Sequence, residues 1–94
     1  MAKLKRRLEQ IYQKIDSIAK LGKDGFNNYG MYIDELLSSG EWSLFSDVMI
    51  RKYNINTQLY RSVEDIKSKT FDKIRFVILS QFHLYHHSVL LRQA

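Results

Sequence analysis

The residues with the most chemical potential in this sequence sit in four places. His83, His86 and His87 fall at i, i+3 and i+4 of a single segment. On a helix His83 and His87 would share a face, and two neutral imidazoles there can hold a metal ion. No carboxylate lies close by in sequence and no second ligand pair appears. The expectation is therefore no metal and no cofactor, with histidines at an interface or half-buried. Were they at an interface, assembly would respond to pH near the unperturbed imidazole pKa of about 6.5.

Lys3, Lys5, Arg6 and Arg7 form a basic run at the start. Such a run can neutralise phosphates as a DNA-contacting arm does, or simply be a solvated helix end. No aromatic alternates with these charges, as a stacking surface for single strands would need. The third place is the segment from Met49 to Lys69, MIRKYNINTQLYRSVEDIKSK. It resembles the general helix-turn-helix pattern: a helix, a tight turn at Tyr53-Asn54-Ile55, a cap at Asn56 and a second helix. That second helix would expose Thr57, Gln58 and Arg61, residue types that read base edges. Against this, Ile50 is bulky where the helices should cross closely, Leu59 comes one position early, and Glu64 and Asp65 would oppose the DNA backbone.

The fourth is Gly22-Lys23-Asp24-Gly25, which lacks the spacing and the Ser or Thr of a phosphate loop. Read as a calcium loop from Asp24, it puts Phe26 where an oxygen ligand is needed. There is no cysteine and no nucleophile elbow. Asp34-Glu35 and Glu64-Asp65 are adjacent pairs on different helix faces, as solvated charges are. The expectation is a protein that is not an enzyme and has no small-molecule substrate.

These residues must be positioned by helices. The chain has 94 residues, no proline and four glycines, the last of them Gly40. Proline and glycine are the main interrupters of regular structure. The expected fold is all-α: one domain over 1–94, a small bundle of four or five helices with long N- and C-terminal helices. Residues 2–21 read as an amphipathic helix. Leu4, Leu8, Ile11, Ile15 and Ile18 step by four, three, four and three, the spacing of a coiled-coil seam. Residues 22–30 read as a glycine-rich loop, with Gly22 as the left-handed residue closing the first helix. The helical core then runs over 31–94.

Asn27 or Asn28 can cap a second helix to about residue 38, burying Tyr29, Tyr32, Ile33, Leu36 and Leu37. A third, 41–53, would bury Trp42, Phe45, Val48, Met49 and Tyr53, with Asn54 left-handed after it. A fourth, about 57–69, would carry Leu59, Tyr60, Val63 and Ile66 inward, and Asp65 and Lys69 would pair along it. Thr70 reads as the cap of a last helix, 71–92, although the fourth and last helices can also run on as one. Phe71, Ile74, Ile78, Phe82, Tyr85 and Val89 make its main stripe. Phe76, Val77, Leu79, Leu84, Leu90 and Leu91 cover its other sides, and no formally charged residue occurs from Phe76 to Leu91.

A helix that is apolar all round must be surrounded. This one is too short and too rich in histidine for a membrane span. It is either the central helix of the fold or a surface completed by a partner. The leading expectation is a non-enzymatic assembly or accessory subunit that meets a protein partner, or a second copy of itself, through its helices. Its interface residues would be Leu4, Leu8, Ile11, Ile15, Ile18, Phe76, Leu79, Phe82, Leu84, Leu90 and Leu91. The basic border of the first seam suits an acidic partner helix, or phosphate, better than a copy of itself; the other reading is that this stripe simply packs on the protein's own core.

The alternative is a small DNA-binding protein. It would use Lys3, Lys5, Arg6 and Arg7 on phosphates, with Thr57, Gln58 and Arg61 at the bases. The net charge of +5 accommodates either reading. The absence of cysteine and of an apolar run after the basic start suggests the cytoplasm, or a virion. The bias towards Lys, Ile, Tyr, Phe and Asn fits an AT-rich genome, such as that of a phage.

Overall fold

The computed structural model describes residues 2–93, with side chains described for residues 2–80. Four α-helices account for most of it: α1 (Ala2–Ala19), α2 (Phe26–Ser38), α3 (Trp42–Tyr53) and α4 (Val63–Gln93). Two short 3-10 turns, Gly22–Gly25 and Thr57–Leu59, join them, and there is no strand among the described residues. The fold is a small all-α bundle, as the glycine and proline usage predicts.

One hydrophobic cluster draws on all four helices. Ile11, Ile15, Ile18 and Ala19 come from α1, Tyr29, Tyr32, Ile33 and Leu36 from α2, Phe45, Val48, Met49 and Tyr53 from α3, and Ile66, Phe71 and Ile74 from α4. The periodicities of the first three helices thus locate their buried faces. Leu37, expected inside, is exposed, and Trp42 is half-buried against the Phe45 ring at 4.9 Å.

Gly22 closes α1 with φ 72° and Gly40 follows α2 with φ 74°. A left-handed residue there lets the final carbonyls of a helix find donors. After α2, the Glu41 amide donates to the Leu36 carbonyl and the Gly40 amide to that of Leu37. Asn54 takes the left-handed conformation after α3 and donates to the Ile50 carbonyl. The loop expected over 22–30 is much shorter than that. Gly25 and Gly30 are not breakers: α2 begins at Phe26, and Gly30 lies inside it. Gly25 has an ordinary negative φ. It is glycine because a Cβ there would overlap the carbonyl oxygen of Ile18.

The helix expected over 57–69 does not form. Asn56 does act as a cap, its side chain accepting from the Gln58 amide, but it caps a single 3-10 turn. Thr57 turns inward, buried and hydrogen-bonded to Ser46 at 2.9 Å. Leu59, expected in the core, is 78% exposed. The chain restarts at Ser62, whose hydroxyl accepts from the Asp65 amide at 3.1 Å. Glu64 and Asp65 then sit in the first turn of α4, where the helix dipole favours negative charge.

Thr70 is not a cap either. It lies within α4, its hydroxyl donating back to the Ile66 carbonyl, as mid-helix threonines do. The two final helices therefore run on as one of 31 residues, about 46 Å long at 1.5 Å per residue.

Polar contacts tie the helices together. Thr70 has one proton and gives it to Ile66, so the buried Tyr29 hydroxyl must be the donor in their mutual bond, which joins α2 to α4. Burial raises the Tyr29 phenol above its ordinary pKa and keeps it protonated. Lys67, its side chain 13% exposed, reaches Asp34 at 3.0 Å and Glu64 at 3.4 Å. Lys52 on α3 meets Glu9 at 3.7 Å and lies over the Tyr12 ring.

Candidate interaction surface on α4

α4 has two sides over its described length. Ile66, Thr70, Phe71 and Ile74 are buried in the bundle, with Val63, Val77 and Ile78 half-buried beside them. Phe76 and Leu79 point the other way, 71% and 59% exposed. Three residues apart on a helix, they are neighbours on one face. Beside them runs a groove of about 330 Å³ between the end of α1 and α4, lined by Ala19, Lys20, Gly22, Arg75, Ile78 and Leu79. Lys20 is held above its ordinary pKa chiefly by its hydrogen bond to Asp16, at 2.8 Å, so it is charged at neutral pH. The Arg75 guanidinium lies 5.9 Å from the Phe71 ring centroid.

The N-terminal seam divides. Ile11 and Ile15 are fully buried and Ile18 is 5% exposed, all within the core of their own chain. They are not open to a partner: their periodic face is already covered by the rest of the bundle. Leu8 is half-buried and Leu4 is 51% exposed. Of the C-terminal residues expected at an interface, Phe76 and Leu79 are exposed as that reading requires. Phe82, Leu84, Leu90 and Leu91 lie outside the residues whose side chains are described, as do His83, His86 and His87. No cluster able to hold a metal ion occurs among the described residues. No helix among them is long and apolar enough to cross a membrane.

The nucleic-acid residues do not come together as a helix-turn-helix. Gln58 and Arg61 are exposed, but Thr57 is buried, and no second helix presents the three on one face. They border a groove of about 760 Å³ with Trp42 and Tyr60. Lys3, Lys5 and Arg6 are exposed at the start of α1. Arg7 is not free for phosphate. Its Nε and Nη2 donate to the two carboxylate oxygens of Glu41 at 2.7 and 2.8 Å.

The Glu41 contact is the bidentate geometry that favours Arg, and the Ser39 hydroxyl donates to the same carboxylate at 3.0 Å. The Arg7 bond, with help from Ser39, holds Glu41 down at about 2, and the Glu41 bond raises Arg7. This clamp between α1 and the α2–α3 junction was not legible in sequence, because its partners are 34 residues apart. The groove beside α4 was equally hidden, since it exists only where α1 ends against Arg75 and Leu79.

Leu4, Leu21, Met31, Ile50 and Leu59 are also more than half exposed; Leu21 and Met31 line a groove of about 420 Å³ with Lys14, Tyr32 and Glu35, and Ile50 lines the one beside Gln58 and Arg61. Phe76 and Leu79 differ because they sit one turn apart on a single helix face, with Leu79 lining the groove beside it, and because they open the stretch without formal charge. Comparison with protein-family models, with curated proteins and with solved structures yields no match, so the functional reading rests on this surface.

Proposed function

We propose that this chain is a non-enzymatic assembly or accessory subunit that docks onto protein through the outward face of α4. The observation that carries the reading is the exposure of Phe76 and Leu79, side by side on the helix whose opposite face completes the core. Full burial of side chains of this size is worth about 1.5–3 kcal/mol each, so the pair, already partly covered, supplies less than about 3–6 kcal/mol. Association costs about 4–15 kcal/mol in lost freedom. The two residues alone therefore support only weak docking, and a firm contact must also engage the flanking groove.

Sedimentation velocity from micromolar to millimolar concentration tests this. The wild-type chain is expected to associate as its concentration rises. Phe76→Asp with Leu79→Asp should remove the association without loss of helicity, because neither side chain belongs to the core. Association indifferent to both substitutions would overturn the proposal, as would a chain that stays monomeric throughout and also leaves a leucine-striped helical peptide unbound.

A further inference from the structure

The groove beside Leu79 specifies more than apolar contact. Its floor is Ala19, 4% exposed, and the half-buried Ile78, and Gly22 leaves it open at one end. Its rim carries one cation from each helix, Lys20 from the segment after α1 and Arg75 from α4, and no acidic residue lines it. Lys20 bonds Asp16 on one side, but its side chain remains 63% exposed, leaving ammonium protons towards solvent. Arg75 makes no ion pair among the described residues. The nearest other acids by position are Asp24, in the turn after Gly22, and Asp72, one helical turn before Phe76. Asp72 is also three residues before Arg75 on α4, but neither acid forms an ion pair with Lys20 or Arg75 among the described residues.

We infer that the occupant of this groove is an acidic amphipathic helix of another protein. Three observations lead there. The described residues contain no strand, so a partner cannot add on through a sheet edge and must be recognised by its side chains. The groove, at about 330 Å³, is at the small end of the roughly 300–1,000 Å³ range of ligand pockets. It suits one or two aliphatic side chains projecting from a helix. The flanking carboxylates of such a helix would meet Lys20 and Arg75, and the bidentate fork of Arg75 fits a carboxylate well. A cationic helix would bring like charge against both rims, an arrangement that excludes wrong partners.

This inference rests on the docking reading above and adds the chemistry of the partner. The test uses two fluorescein-labelled helical peptides with the same leucine stripe, one with glutamate and one with lysine at every other exposed position. Fluorescence anisotropy follows their titration with the full chain. The acidic peptide should bind and the basic one should not. Arg75→Glu should weaken the acidic peptide at least tenfold and let the basic peptide bind, and Leu79→Asp should abolish binding of the acidic peptide, with circular dichroism unchanged in each variant. Equal binding of the two peptides, or an acidic-peptide affinity unmoved by Arg75→Glu, would overturn the acidic partner while leaving apolar docking standing. Failure of both peptides, with the chain still associating through Phe76, would overturn it in favour of a second copy as occupant. Failure of both with a strictly monomeric chain would remove the docking reading as well.

Discussion

The buried bond between Tyr29 and Thr70 makes an asymmetric prediction about what happens when each partner is cut. Tyr29 donates to the Thr70 hydroxyl, which itself donates to the Ile66 carbonyl. Tyr29→Phe removes a donor but leaves Thr70 bonded to Ile66, so the cost is that of one ordinary hydrogen bond, about 1 kcal/mol. Thr70→Val preserves shape and β-branching but strands the Tyr29 hydroxyl, a fully buried residue, with no acceptor. That costs about 1–3 kcal/mol. The double variant removes both polar groups and leaves an apolar contact of nearly the same shape, a change that can be close to neutral.

The double variant should therefore be more stable than Thr70→Val alone. Thermal unfolding followed by circular dichroism is sensitive enough, since 1 kcal/mol moves the midpoint of a domain of 60–100 residues by about 4–8 °C. A double variant that loses as much as the sum of the singles would refute both the donor assignment and the burial argument.

Other substitutions test the clamps that hold the helices. Glu41 has a folded pKa of about 2 against an ordinary 4.5, so its stabilisation is complete above pH 4.5 and is lost as pH falls towards 2. Glu41→Gln should therefore destabilise at neutral pH, with the gap to wild type closing over that acid window in urea titrations; a gap constant with pH would contradict it. Gly25→Ala should cost about 2–3 kcal/mol, as overpacking against rigid backbone does, whereas an unchanged denaturation midpoint would show that α1 and α2 can separate at no cost. The Tyr53 hydroxyl is buried without a partner among the described residues, so Tyr53→Phe should be neutral or stabilising by about 1 kcal/mol. A clear loss of stability would mean that the hydroxyl is bonded in solution.

What the sequence shows and what it hides divide by the range of the interactions involved. Ile11, Ile15 and Ile18, like Phe45, Val48 and Met49, mark an apolar face because a helix repeats its inward side every three or four residues, but the period does not say whether the chain itself or a partner covers the seam of α1. The ends of α1 and α3 are legible for a similar reason, since Gly22 and Asn54 supply the left-handed residue locally. Thr70 misleads because whether a threonine caps or bonds back depends on what its hydroxyl meets. Here that partner, Tyr29, is 41 residues away. Gly25 misleads because a glycine needed for close approach reads the same as one that ends a helix. Leu59 reads as core from its type alone, but the 3-10 turn that buries Thr57 puts it outside. The α4 surface was half legible: an apolar run says that something must cover it, while the cations beside it appear only once α1 lies against α4.

The claim that matters most is where the contact is made, and amide chemical shifts of the ¹⁵N-labelled chain can locate it. As the glutamate-rich peptide is added, shifts should gather at Ala19–Gly22 and Arg75–Leu79, with Lys3–Arg6 and Gln58–Arg61 unmoved. Shifts confined to those two basic segments, or a spectrum that does not change at all, would contradict it.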